Sequence, residues 1–385
     1  MTASRLPRLP DELLHQIFSD KSLFISDLAS LALTSRRFLD TVRPKLYSGV
    51  TIILLEKADL ADPLGLPVYG VESWQLLRTL QDHPNLAALV KKITFINLPR
   101  RHFSTDAPSL PTTRQLAVVT FLRLVRNRTK IVVHNSPDND GLIECLAVVD
   151  NRSSITALEL TTSSAVDFEE LSRLLPDLTE LSFGRLDDPV PNSTLLQRLT
   201  LLDVFSPTAV LDQLPSLSTT RSTLRELRVP LYVLFDLAAT TDLSQFPHLR
   251  TLHVYGLGTA QRQGGHSIQV DIANFWKCLG QSPSLQVLSF YGLPFGIYEG
   301  PMFSHLGKHP TITIPTLKTI RFDQDVPFDR IATMLDWPLL STVRQLVLPC
   351  WSPTEEGVVA RQRKLDAVST ICRGTGIEVM LADEY

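Results

Sequence analysis

Leu249-Arg250-Thr251-Leu252-His253-Val254 is one copy of a strand phrase that the chain repeats. A leucine is followed by two variable residues, a second leucine or isoleucine, one variable residue and a third apolar residue, and Pro or Ser typically introduces it. The phrase returns as Leu178-Leu181-Phe183, Leu224-Leu227-Val229, Leu285-Leu288-Phe290 and Leu317-Ile320-Phe322. Less regular copies are Ile155-Leu158-Leu160, Leu196-Leu199-Leu201 and Val343-Leu346-Leu348, with an early copy near Leu89-Ile93-Phe95 and a late one near Ile377-Val379-Leu381. The gaps carry helical patterns at 167–175, 208–214, 270–280, 327–335 and 359–372. A strand and a helix alternating in this way cannot bury their apolar faces singly, whereas stacked copies share one continuous core behind parallel strands.

Residues 1–47 hold a different pattern. Pro10 lacks an N–H and suits a first helical position, and Asp11 and Glu12 follow it at the positive end of the helix dipole. Leu13, Leu14, Ile17 and Phe18 recur at three- and four-residue spacing, which predicts one apolar stripe with His15, Gln16 and Ser19 facing water. Ser26 and Asp27 are placed to cap a second helix carrying Leu28, Leu31 and Ala32, and Thr34 or Ser35 a third carrying Phe38 and Val42. Three helices this short bury too little apolar surface to stand alone, so the stripe is expected to meet a partner or the chain's own body.

Leu9-Pro10-Asp11-Glu12-Leu13-Leu14, Ile17-Phe18, Asp27-Leu28 through Leu31, Ser35-Arg36-Arg37-Phe38, Pro44 and Leu46-Tyr47 resemble an F-box. Ser35 and Phe38 stand where many relatives carry Cys and Trp. The resemblance implies a Skp-type adaptor docked on Leu9, Pro10, Leu13, Leu14, Ile17, Phe18, Leu28, Leu31, Arg36 and Phe38, and through it a cullin, as in SCF ubiquitin ligases. The strand-then-helix cycle is similar to an irregular leucine-rich-repeat solenoid, although the usual asparagine after the third apolar position is missing in nearly every copy. A compact α/β domain with a parallel sheet would show the same alternation. The expected architecture is α/β and similar to fungal-type F-box proteins. It places a three-helix F-box at 1–48, a linker strand and helix at 49–84, and at 85–385 an irregular leucine-rich-repeat-like solenoid with a curved parallel sheet and outer helices.

Relatives of this build hold the protein to be ubiquitinated with their repeats. Side chains alternate along a strand, so with the leucine-type positions in the core the intervening residues face the inner curve. That rule selects Glu226 and Arg228; Thr251, His253 and Tyr255; Ser289 and Tyr291; and Thr319, Arg321 and Asp323. Tyr and Arg are the side chains that most often carry interface energy, which makes Arg228, His253, Tyr255, Tyr291 and Arg321 the expected contacts to an unknown target. An ordinary solvated sheet face is the alternative. Residues 97–140 interrupt the repeat: Pro99, Pro108 and Pro111 mark a loop, and a helix follows with Arg123, Arg126, Arg128 and Lys130 toward its end. Such cations suit a helix C-terminus, and no aromatic platform accompanies them as nucleic-acid binding would require.

Composition narrows the classes further. The chain has 385 residues, 44% of them hydrophobic, and a formal net charge of −3, which gives no reason to expect nucleic acid or an anionic membrane as partner. Cys145, Cys278, Cys350 and Cys372 form no CxxC pair and are expected as buried thiols. No signal-peptide core and no membrane-length apolar run is present, so the expected location is cytoplasmic or nuclear, where the sequons at Asn127, Asn151 and Asn192 are chance tripeptides. No GxSxG elbow, Walker loop, HExxH pair or dinucleotide fingerprint occurs. Gly256, Gly258, Gly264 and Gly265 surround Gln261-Arg262-Gln263 but lack a following Lys-Ser/Thr, and His305 and His309 lack a third ligand, so no metal, cofactor or catalytic role is expected. Two functions stay open: a substrate receptor that supplies proximity while another subunit transfers ubiquitin, and a non-ligase F-box/repeat scaffold for protein contacts. A fragment of residues 1–48 is expected to show little helix alone by circular dichroism and to gain helix when a Skp-type adaptor is added.

Overall fold

Three helices open the computed structural model, which describes residues 10–19, 23, 25–54, 71–98, 113–125, 127–134, 140–161, 168–183, 198–204, 223–230, 243–255, 277–291, 314–322, 341–349, 362–363, 365–370 and 372–381. They are α1 (Asp11–Ser19), α2 (Ile25–Thr34) and α3 (Arg36–Leu46). Leu14, Leu28 and Val42 meet in a small core, against which Leu23, Leu31, Ala32, Phe38 and Leu46 pack. Ser35 caps α3 from extended backbone, its Oγ accepting from the Arg37 N–H at 3.2 Å. α2 begins at Ile25, so Ser26 and Asp27 lie within its first turn and not ahead of it, with the Asp27 charge at the positive end of the helix dipole. The chain divides into two compact units, Met1–Thr156 and Ala157–Tyr385.

The first unit continues with β1 (Gly49–Ile53), α4 (Val71–Asp82), α5 (Pro84–Ala87), β2 (Lys92–Ile96), α6 (Thr113–Leu124), β3 (Thr129–His134) and α7 (Asp140–Ala147). β1, β2 and β3 pair in parallel, with Val50, Ile93 and Ile131 in one row and Ile52, Phe95 and Val133 in the next, all buried. β1 is hydrogen-bonded along its length to β2, and the Ser73 hydroxyl on α4 accepts the Ile53 N–H at 3.1 Å, so the strand within 49–84 is part of the sheet. One expectation is corrected here: the helix that follows Pro111 stops at Leu124, and the β-branched run Ile131-Val132-Val133 is a strand and not the continuation of that helix. Asn151 fixes that stop by donating from Nδ2 to the carbonyls of Leu122, at 3.0 Å, and Val125, groups that a helix end leaves unsatisfied. Arg123 therefore lies in the last turn of α6 and donates to the Val148 carbonyl at 3.0 Å, while Arg128 and Lys130 lie beyond the helix.

The second unit is a longer run of the same kind: β4 (Ile155–Thr161), α8 (Phe168–Leu174), β5 (Glu180–Phe183), β6 (Leu201–Val204), β7 (Glu226–Pro230), β8 (Thr251–Tyr255), β9 (Val287–Tyr291), β10 (Thr319–Phe322), β11 (Gln345–Leu348) and β12 (Glu378–Leu381). From β5 onward each strand pairs in parallel with the one before it in sequence. That sequential order belongs to a solenoid-like repeat fold and not to a doubly wound sheet, whose order reverses at a switch point. Leu158, Leu181, Leu202, Leu227, Leu252, Leu288, Ile320 and Leu346 form one buried row across the strands. Leu160, Phe183, Val229, Val254, Phe290, Phe322 and Leu348 are buried two residues further on, where the rings of Phe290 and Phe322 stack 5.5 Å apart. The predicted register fails in one copy: β6 reads Leu199-Leu202, both buried, instead of Leu196-Leu199-Leu201, and Leu201 turns to the opposite face.

Hydroxyl groups tie successive copies together where the strand phrase begins. Thr223 donates to the Leu199 carbonyl at 2.9 Å, Thr316 to that of Leu285 at 2.8 Å and Thr342 to that of Ile314 at 3.0 Å, and Ser284 donates to that of Pro247. Each stands one residue before a first leucine-type position, so the residue that introduces the phrase satisfies a turn carbonyl of the preceding copy. Truncating Leu227, Leu252, Leu288 or Ile320 to Ala is expected to lower stability by about 2–5 kcal/mol in urea titrations, since each leaves a cavity in a row shared with both neighbours.

Candidate interaction surfaces

Helix α1 splits the predicted stripe in two. Leu14 is 3% exposed and Leu28 fully buried in the three-helix core, whereas Leu13 and Ile17, four residues apart on the outer side of α1, are 44% and 46% exposed. Leu14 and Leu28 are thus removed from the expected adaptor surface: a side chain that closes the core has no area left for a partner. Leu31 and Phe38 are partly buried against the same core, while Pro10 and Arg36 are exposed. Leu9 lies outside the described residues, as does the side chain of Phe18. Sequence spacing missed Ile25 and Leu33, eight residues apart on α2 and 64% and 90% exposed. For Leu33 the signal was available, because it falls outside the Leu28, Leu31 and Ala32 side of that helix; Ile25 shares that side and is exposed at the first residue of α2.

The second surface lies on the side of the sheet opposite the leucine row. Register places Asp203, Arg228, His253, Ser289 and Arg321 side by side on β6 to β10, with Tyr255 beside Tyr291 one step on. Glu226 organises this group. Its Oε1 accepts from Arg228 Nε at 2.6 Å, lies 2.6 Å from Arg228 Nη2, and lies 3.2 Å from His253 Nε2. The hydrogen bond from His253 holds the Glu226 carboxyl below its usual range; burial pulls the other way and the Arg228 charge assists. Burial works against the Arg228 charge, but Glu226 beside it outweighs that and drives its pKa up. Burial, aided by Asp203, pushes the Tyr255 phenol up to about 12. The rings of His253 and Tyr291 lie 5.4 Å apart and those of Tyr255 and Tyr291 5.7 Å, both tilted.

The expected target residues are therefore brought together, but not as an open solvated face. His253 is only 9% exposed, and Arg228 is already engaged by Glu226. Arg321 shares the row, half-buried, and Asp323 lies outside the described residues. The part played by Asp203 escaped sequence reasoning because the shifted β6 register hid which face it occupies. Ser289 Oγ is fully buried and has no hydrogen-bond partner among the described residues, so Glu226, His253 and Ser289 form no relay to an accessible nucleophile. Gly256 through Gly265, His305 and His309 lie outside the described residues. Among the described residues no group of side chains is arranged to hold a metal ion, and no helix is long and apolar enough to cross a membrane. Cys145, Cys278 and Cys372 are buried, and burial, then the charge of Glu144, pushes the Cys145 thiol up to about 12.

Residues 6–52 match the F-box-like family. No curated protein matches the chain. A crystallised protein of Bacteroides fragilis aligns over 80% of this chain and 71% of its own with 11% identity and a TM-score of 0.26, a likeness too low to carry an argument. The F-box-like match covers α1, α2, α3 and most of β1, so it includes both the closed core and the exposed Leu13 and Ile17.

Glu226 gives the sheet surface a pH dependence whose sign follows from its depressed carboxyl. Its stabilisation is complete above the usual carboxyl value of 4.5 and is lost as pH falls through the lower value in the folded protein. Glu226→Gln is expected to lower stability by about 1 kcal/mol at neutral pH, the low end for hydrogen bonds to charged groups because the site is partly solvated. The difference in melting temperature between parent and variant should shrink as pH is taken below 4.5.

Proposed function

We propose that the chain is the substrate-recognition subunit of an SCF-type ubiquitin ligase, in which the F-box-like segment binds a Skp-type adaptor and through it a cullin, and the repeats hold a target protein. The observation that carries this reading is the exposure of Leu13 and Ile17 on α1 beside a core that is already closed, within the segment that matches the F-box-like family. Two large apolar side chains on one helix face, four residues apart, suit a partner's apolar groove. The adaptor contacts reduce to the exposed Pro10, Leu13, Ile17 and Arg36, with Leu31 and Phe38 at their margin and Leu14 and Leu28 acting from beneath. The sheet surface of Arg228, His253, Tyr255, Tyr291 and Arg321 is the proposed target contact, supported by the tyrosine pair and by the hydrogen-bonded cluster that pre-orders it.

In this arrangement the chain supplies proximity and another subunit supplies the chemistry. Leu13→Asp with Ile17→Asp is expected to weaken capture of a Skp-type adaptor at least about 30-fold, equivalent to ~2 kcal/mol, while the melting profile of the repeats is retained. Unchanged capture would overturn the adaptor assignment. Capture of the adaptor from cells with no cullin in the same complex would instead favour the non-ligase scaffold.

A further inference from the structure

A row of cations runs along the edge at which the chain enters the sheet, outside both surfaces described above. The residues immediately before β7, β8, β9, β10 and β11 are Arg225, Arg250, Gln286, Lys318 and Arg344. Their main chains are stacked rung on rung. The Arg250 N–H donates to the Arg225 carbonyl at 2.8 Å, Gln286 to Arg250 at 2.8 Å, Lys318 to Gln286 at 2.8 Å and Arg344 to Lys318 at 2.7 Å. With neighbouring strands ~4.8 Å apart, the row is ~19 Å long.

All four cations are exposed, and among the described residues none of them is in an ion pair. The carboxylate nearest in sequence, Glu226, is held by Arg228 and His253, and Glu378, exposed on β12, stands in register with Gln345. Like charges side by side on adjacent strands oppose folding. Nor does the fold require them: the same position before β5 and β6 is Thr179 and Thr200. Charge set at this position before β7, β8, β10 and β11, against its own repulsion and with no ion pair among the described residues, points to something external.

We propose that this edge binds an acidic segment of the target protein, an extended stretch of about seven residues with carboxylates at alternate positions, whose ~20 Å span matches the row. The inference rests on the receptor reading and gives its target a chemistry. A nucleic acid is disfavoured, because Tyr255 and Tyr291 stand at the far ends of β8 and β9 from the cations and leave no stacking platform beside them.

The test uses the full-length chain co-purified with a Skp-type adaptor and three fluorescein-labelled probes: a peptide with four Glu at alternate positions, its Gln counterpart, and a single-stranded oligonucleotide of equal charge. Fluorescence anisotropy is expected to show salt-sensitive binding of the Glu peptide, none of the Gln peptide, and at least about tenfold weaker binding by Arg250→Glu with Lys318→Glu. Arg250→Thr with Lys318→Thr copies the residues before β5 and β6 and should weaken binding in the same direction without disturbing the fold. Equal binding of the Glu and Gln peptides, unchanged affinity in both variants, or tighter binding of the oligonucleotide that the same variants abolish would each overturn the proposal. Adaptor retention is scored separately: a parent chain that holds no adaptor but keeps the Glu peptide overturns the receptor reading and leaves the acidic-segment site standing.

Discussion

The row of Leu181, Leu202, Leu227, Leu252, Leu288, Ile320 and Leu346 is the contact from which the second unit is built. Each side chain lies between its counterparts on the strands before and after, so no copy closes its own core and every copy completes two others. Parallel pairing keeps equivalent positions of successive copies side by side along this row. The side-chain period of two then fixes the rest. Once the leucine positions point inward, Asp203, Arg228, His253 and Arg321 must share the other face.

Putting charged and polar groups in adjacent register creates a second requirement, and Glu226 meets most of it. Arg228 and His253 are both half-withdrawn from water or more, and each would be costly to bury without a partner. One carboxylate oxygen receives donors from both. The consequence for recognition is a cluster whose rotamers are fixed before any partner arrives, with Tyr255 and Tyr291 leaning on each other beside it. A pre-ordered surface loses less conformational entropy on binding than free long side chains would.

Much of this was legible in the sequence because the repeated phrase carries its own parity. The strands β5, β7, β8, β9, β10 and β11 fall where spacing puts them, and the inner-face residues of β7 to β10 follow from alternation alone. What was lost was lost to ambiguity of pattern. The stretch from Leu195 to Leu202 offers several leucines at three-residue spacing, and only pairing with Leu181 and Leu227 selects Leu199 and Leu202. β3 was hidden by a helical period that runs on past Leu124, and only the cap from Asn151 ends it. The division of the α1 stripe was also beyond spacing, since Leu13 and Leu14 are equally apolar and only the arrival of Leu28 and Val42 decides which is enclosed.

The same parity accounts for the cations at the sheet edge. The residue after each first leucine lies at the strand entry, where neither the core nor the inner face claims its side chain, and so its identity is left almost free by the fold. Thr179 and Thr200 show that a small neutral residue serves there. A position that packing leaves unconstrained records other demands on the sequence more clearly than one that packing dictates. Repeats make such positions comparable, because each copy is a control for the next. The change from threonine to arginine or lysine between β6 and β7 occurs where the inner face also changes, from Ser182 and Asp203 to Arg228, His253 and the tyrosines. The inner face and the strand entry thus change character at the same point along the sheet, while the leucine row behind them continues unchanged.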